Sequence, residues 1–497
     1  MDALWTSRTS DSDPLPDDGR FDDIVVGAGL TGLTAALLLA RAGRRVGVVE
    51  AREVAAVTTG RTTGKLSLLQ GTKLSQILSA QSREVAQAYV DANKEGQQWL
   101  LRFCGDHDVP FQVRDAVTYA AAERDLAKVK DEHEAARSLG LDVRWADQLE
   151  VPFPLVGGTV LAEQAQFDPM DVVAALVDQL RAHGGTVHEG RRVVGVSRRG
   201  APEVTLDDGH VLRADNVVLA TGMPVLDRGL YFSKVEPTRS YIIAFQGAEV
   251  PFGMYLSVSS PGVSIRSVPG DADSAPALLV GGAGHVVGRT RSESAKLDEL
   301  REWTAHYFPG ATETHAWSAQ DYSPPDGVPF VGKLPRGGGR IYLATGYDKW
   351  GMTNGVAAAL SIAGQILGKR PEWAETLGSR PLRPRGAARV AAINAGVGVA
   401  ATGSFARAES KKVSVPAGEG EGNVGRDGVV PIGASQVDGK TCQVVALCTH
   451  LGGALRWNDA EKSWDCPLHG SRFAPDGKVL EGPATKPLVQ HEVLADD

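Results

Sequence analysis

The sequence predicts a mixed α/β fold built on a βαβ unit, followed by a small all-β domain, and three features predict it. A strand, a Gly-rich turn, a helix and a second strand run in that order from Asp22 to Glu50. Alternating helical and strand-like stretches then continue to a last apolar helix near residues 356–367. Beyond Val413 the chain breaks into short apolar runs punctuated by Gly, Asp-Gly and Pro, the pattern of short strands and tight turns. At 497 residues the chain is too long for one core, so two to four domains are expected.

Taken in order, residues 1–20 are acidic, polar and Pro-containing and predict a flexible tail; they lack the apolar run of a signal peptide. Residues 21–370 form the α/β domain. Its first helix places Leu33, Leu37 and Ala40 on one face, and charged helices are expected at 81–103 and 122–139. Residues 371–412, rich in Pro, Gly, Ala and Arg, predict a linker, and 413–497 the all-β domain. The apolar stretch 387–408 is interrupted by Arg389, Asn394, Ser404 and Arg407, too polar to span a bilayer. The expectation is a soluble cytoplasmic protein with no integral membrane segment. A net charge of −8 gives no broad basic footprint and argues against nucleic acid as a partner. Four cysteines are too few for a disulfide framework.

The Gly-rich turn reads Gly27-Ala28-Gly29-Leu30-Thr31-Gly32. The first glycine permits the turn, the second lets the backbone approach a pyrophosphate, and the third lets helix and strand pack closely. The helix N-terminus then faces the phosphates with free N–H groups. Glu50, ending the second strand, stands where a carboxylate meets an adenosine ribose. The polar loop Gly60-Arg61-Thr62-Thr63-Gly64-Lys65 suits a cofactor longer than NAD, which points to FAD. A second nucleotide site at 281–288 is disfavoured, because no apolar helix and no acid-ended strand follow that glycine run. No Cys-x-x-Cys or Cys-x4-Cys pair exists for a disulfide reductase. The absence of His and Cys from 30–103 and from 344–356 predicts non-covalent FAD.

Near the C-terminus stand Cys448-Thr449-His450 and, fifteen residues on, Cys466-Pro467-Leu468-His469. Two cysteines and two histidines in this order are what a Rieske [2Fe–2S] centre requires, thiolates on one iron and imidazoles on the other. Ser471 is placed to hydrogen-bond a sulfur. His183 and His188 mimic a mononuclear iron pair but straddle a helix end and a strand, upstream of the cluster, and are set aside.

With both ends read, the chain resembles bacterial fusions of a glycine/D-amino-acid-oxidase-like FAD module with a C-terminal Rieske domain. The stretches that carry the likeness are VVGAGLTGLTAA, GRTTGKLS, ATGMP, WSAQDYSPPDGVPFVGKLP, ATGYDKWGMTNGVAAA and CTHLGGALRWN…SWDCPLHGSRF. The resemblance implies a Rossmann-like FAD/NAD(P)-binding core with an antiparallel substrate subdomain and a β-rich Rieske module. It extends the expected FAD contacts to Ala51, Arg52, Arg61, Thr62, Thr63, Val194, Ala220, Thr221, Gly222, Gly346, Lys349, Trp350, Gly351, Met352 and Thr353. In cytochrome-bc-type Rieske proteins cysteines replace Gly453 and Leu468 and form a disulfide, and a tyrosine often replaces Phe473. Their absence here points to the lower part of the roughly −150 to +300 mV Rieske range.

The expected chemistry is oxidation of a small amine- or amino-acid-like substrate, with electrons passing from flavin to cluster to an external one-electron acceptor. Reverse flow from an external donor, or a redox partner or sensor without turnover, stay open as alternatives. Substrate-facing candidates are Arg239 (a carboxylate clamp), Tyr241, His285 and Lys349.

Overall fold

The computed structural model describes residues 1–5, 11–197, 200–270 and 275–491. Asp23–Val26 is the centre of a six-stranded sheet. On one side it pairs in parallel with Val46–Val49 and then Thr186–His188. On the other it pairs with Asn216–Leu219 and then Ile341–Thr345, and an antiparallel edge strand, Phe330–Lys333, completes the sheet. The chain leaves the central strand toward one side and later returns to the other, so a crevice opens at the strand's carboxyl end. The Gly-rich turn lies in that crevice. Its helix, Leu30–Arg41, is buried on nearly every face, as is Gly351–Ile366 beside it. The latter begins five residues before the expected 356, at the turn that delivers the chain to the crevice.

A second, nine-stranded and largely antiparallel sheet stands over the crevice. Three of its long strands, Thr312–Ser323, Glu236–Gln246 and Ala277–Val286, are neighbours. Side chains alternate between its faces. Ile242, Ala244 and Trp317 join the core on the crevice side, while Tyr241, Ile243 and Phe245 join a separate core on the other side. The glycine-rich 281–288 segment is strand and loop of this sheet. The charged helices form over Arg83–Asp106 and Leu126–Ser138.

The C-terminal domain stacks a three-stranded sheet, Gly422–Asp427, Val430–Val437 and Lys440–Val445, with a four-stranded one running from Arg456–Asn458 to Val479–Glu481. The first short apolar run beyond Val413, VSVP at 413–416, forms no strand.

Two expectations need correction. The 371–412 linker is helical over Glu372–Ser379 and Pro384–Glu409. Its many alanines favour helix, and Pro384 sits in the first turn, where its fixed φ and missing N–H do no harm. This helix bridges the domains. Arg389 pairs with Glu236 at 2.7 Å, Asn394 donates to Ser233 O, and Val397, Ala400 and Ala401 pack on the C-terminal core. The tail is also docked. Trp5 is buried edge-on to Trp317 and donates to Thr62 O at 2.7 Å. Asp13 pairs with Arg181 and accepts from Val187 N. Residues 6–10 of the tail, and 492–497 of the last domain, lie outside the described residues. Among the described residues no helix is long and apolar enough to cross a membrane.

Candidate redox site

The crevice is a cleft of about 1380 Å³ counting its open mouth. Gly27 (φ +105°) forms its floor, where a Cβ would lie 2.6 Å from Ala220 O; one on Gly32 would lie 1.9 Å from Gly27 O. Gly29, at the N-cap, brings no side chain to the helix that begins at Leu30; Leu30 N–H donates to Thr59 Oγ1 at 3.1 Å, and the helix N-terminus faces the cleft where a pyrophosphate would lie. Glu50 accepts from Ala28 N (2.8 Å) and Arg52 N (2.9 Å), and burial pushes its carboxyl up. Such a cradle, long and glycine-floored with an acid at one end, fits FAD.

Of the expected FAD contacts, Gly27, Gly29, Leu30, Thr31, Glu50, Ala51, Arg52, Thr62, Ala220, Thr221, Gly222, Lys349, Gly351 and Met352 line the cleft. Ala28, Gly32, Arg61, Thr63, Val194, Gly346, Trp350 and Thr353 do not line it; Val193 does. Thr353 accepts from buried Gln70. Thr31 and Tyr347 share a hydrogen bond at 2.9 Å.

Only one of the four substrate-facing candidates reaches the cleft. Lys349 lines it, its Nζ 3.0 Å from where a methyl group at Gly284 would lie. Burial lowers its pKa, against the pull of Asp348 and Asp321. Tyr241 and His285 instead bond to each other at 3.0 Å, and neither lines the cleft. Arg239 is no carboxylate clamp. It is 1% exposed and is engaged by Glu461 and Glu481 of the C-terminal domain, the latter at 2.6 Å. Arg239 and Tyr241 both lie on the strand Glu236–Gln246, and the C-terminal domain covers Arg239.

Asp321 was missed. It lines the cleft and accepts from Tyr322 N (2.7 Å) and Lys349 N (2.6 Å). The second bond holds a turn in which Asp348 (φ +50°) and Lys349 (φ +71°) are both left-handed. Such strain, roughly 1–3 kcal/mol per residue, persists only where neighbours impose it. The available signal was an acid inside the otherwise uncharged run SAQDYS. Burial pushes the Asp321 carboxyl up to about 6. A carboxyl raised by folding binds more protons in the native state, so its contribution to stability falls as pH rises from about 4 through about 6. An absorbance titration of the flavin-loaded protein is expected to show an inflection near pH 6 that Asp321→Asn removes. An unchanged inflection would assign it to another group.

Cys448 and Cys466 lie within sulfur hydrogen-bonding reach of each other. The N–H groups of His450 and Leu451 point at the first sulfur, those of Leu468 and His469 at the second. The rings of His450 and His469 are 5.3 Å apart, and buried Nδ1 of His450 has no partner. Among the described residues no three Cys, His, Asp or Glu side chains converge as a single ion needs. A thiol pair and an imidazole pair with a free ring nitrogen fit a two-iron cluster. Ser471 bonds to Cys448, and Leu468 fills the space beside Gly453. Ser471→Ala removes one hydrogen bond to a charged sulfur, worth about 1.5–3 kcal/mol. At 59 mV per tenfold for one electron, the midpoint is expected to drop by roughly 60–130 mV in an EPR redox titration. His183 and His188 each bond to neighbouring protein groups and form no pair.

The two halves of the site meet. Phe232 lies edge-on to both His450 and His469, at 4.9 and 4.8 Å, and His450 Nε2 bonds to Asp227 at 3.1 Å. Leu480, Glu481, Gly482 and Ala484 form part of the cleft wall. Ala484 N–H donates to Ser471 Oγ at 3.0 Å, and Ser471 in turn bonds to Cys448. On a second route, Gln320 Nε2 donates both to Tyr322 OH, in the cleft wall, and to Gly470 O beside His469, at 3.0 and 2.9 Å.

Comparison with known proteins agrees with this division. The family model "FAD dependent oxidoreductase" matches residues 22–365, and the model "Rieske [2Fe-2S] domain" matches 407–492. A Bacillus subtilis protein named as a Rieske 2Fe-2S iron-sulfur protein, YhfW, is 30% identical over 501 residues, 98% of this chain and 97% of its own. The solved glycine oxidase from Geobacillus kaustophilus superposes with a TM-score of 0.60 at 19% identity, covering 71% of this chain and 96% of that one. L-proline dehydrogenase from P. horikoshii gives 0.59 at 16%, covering 71% and 95%. At such identities the likeness is one of fold.

Proposed function

Because this chain belongs to the FAD dependent oxidoreductase family and carries a C-terminal Rieske [2Fe–2S] domain, we propose that it oxidises a small amine- or amino-acid-like substrate and hands the electrons singly to an external acceptor. FAD would accept hydride from the C–H beside nitrogen, and the cluster would carry single electrons outward. The observation that carries this reading is the shared wall: a loop of the Rieske domain lines the flavin cleft and is two hydrogen bonds from a cluster cysteine. The amine class is supported by neighbours of the same fold named as a glycine oxidase and an L-proline dehydrogenase. The residues have separable tasks. Asp321 fixes the turn that presents Lys349, and Lys349 sets a positive charge in the cleft, suited to a substrate carboxylate or to charge gathering on the flavin. The C-terminal domain covers Arg239 and so removes it from substrate binding.

The test is anaerobic mixing of the FAD- and cluster-loaded protein with panels of amines and amino acids, followed by absorbance and EPR. Bleaching of the flavin before reduction of the cluster is expected for at least one donor. Absence of bleaching with every donor would overturn the reading.

A further inference from the structure

The loop from Val479 to Ala484 is held at three points. Arg192 of the flavin domain donates to Val479 O at 2.8 Å. Arg472 and Arg239 grip Glu481 at 2.7 and 2.6 Å. Ala484 N–H donates to Ser471 Oγ, whose hydroxyl bonds to Cys448. The third point ties the cleft wall to the cluster: the group that positions Ala484 is itself positioned by a cluster thiolate. Cys466 N–H also donates to Ser471 O at 2.8 Å, so both cysteine loops meet at this serine.

We propose that the Leu480–Ala484 loop is part of the FAD-binding site and that the cluster orders it, so that FAD and the [2Fe–2S] cluster bind cooperatively. This rests on the two cofactor sites of the proposed function, and not on the direction of electron flow. Couplings between distinct sites commonly change affinity by about 5- to 150-fold, and the effect is reciprocal. FAD therefore slows loss of the cluster by protecting the same loop.

Two measurements decide it. Deflavinated full-length protein is titrated with FAD, by quenching of flavin fluorescence, in cluster-loaded and iron-limited wild type and in cluster-loaded Ser471→Ala. The Kd is expected to rise at least about fivefold on loss of either the cluster or the serine hydroxyl. In the second, cluster-loaded wild type is challenged with EDTA with and without saturating FAD, and bleaching is expected to slow by a similar factor. That arm needs no variant, so a misfolded mutant cannot decide the outcome. Equal FAD affinity with and without cluster, or equal bleaching with and without FAD, would overturn the coupling. Failure of the flavin to pass electrons to the cluster would instead overturn the proposed function and leave the coupling standing.

Discussion

Arg239→Leu is expected to destabilise the protein by about 3–5 kcal/mol, because it leaves buried carboxylates short of a partner. Arg239 and Arg472 alternate with Glu461 and Glu481 in a closed ring, with Arg472 at 2.6 Å from Glu461 and 2.7 Å from Glu481. Asp465 adds a further contact to Arg472 at 3.0 Å. Without Arg239 the two glutamates keep Arg472 of their own domain and, across the junction, Arg61 at 3.6 Å from Glu461. Arg239→Lys, which keeps the charge but not the fork, is expected to lose less. Denaturant unfolding of the FAD- and cluster-loaded chain checks both. A role in substrate binding would instead raise KM and leave the unfolding midpoint in place. The ring also has a pH signature. Burial works to raise the Glu461 carboxyl, but the charges of Arg239, Arg472 and Arg61 outweigh it and hold it at about 2. A depressed carboxyl contributes stability above its unfolded pKa and loses it as pH falls from about 4.5 toward 2. Domain docking should therefore survive mild acid and fail only in that window, as gel filtration and tryptophan fluorescence would report.

Cys448→Ala, assayed at saturating FAD, is expected to leave reduction of the flavin by substrate intact while turnover with a one-electron acceptor falls at least about a hundredfold. A centre on the same chain sees its donor at an effective concentration on the mM scale, whereas an acceptor at about 10 µM must find the flavin by diffusion. The cleft also has Rieske residues in its wall, which hinder that direct approach. Stopped-flow reduction and steady-state acceptor assays separate the half-reactions. Unchanged acceptor turnover would show that electrons leave from the flavin itself.

The parts legible in the sequence were those where local chemistry dictates residue type. Gly27 and Gly32 sit where a Cβ would collide with backbone, and Cys448, His450, Cys466 and His469 sit on loops whose spacing sets up the two pairs. What could not be read was the contact between distant segments. Arg239 looks like a substrate clamp until Glu461 and Glu481, more than two hundred residues on, arrive to neutralise it. Asp321 has no motif of its own; its importance comes from Lys349 N–H, brought near by the following loop. The 384–409 segment misled in another way. Its glycines and arginines suggested a loose connector, yet alanine content and packing against both domains made it helix.

Asp459 adds a consequence for how the protein is made. Its carboxylate accepts from Ser292 Oγ and from the N–H groups of Glu293 and Ser294, at 2.7, 2.8 and 3.0 Å, and so caps the helix Ser294–Tyr307 of the flavin domain from outside. Caps of this kind are worth about 0.5–2 kcal/mol. During synthesis that helix leaves the ribosome about 160 residues before its cap, which takes roughly 8–30 s at ordinary elongation rates. A nascent chain halted before Asp459 would leave the N–H groups of Glu293 and Ser294 without this acceptor, with Ser292 Oγ, which accepts from Ala295 N–H at 3.1 Å, still in place at the helix start.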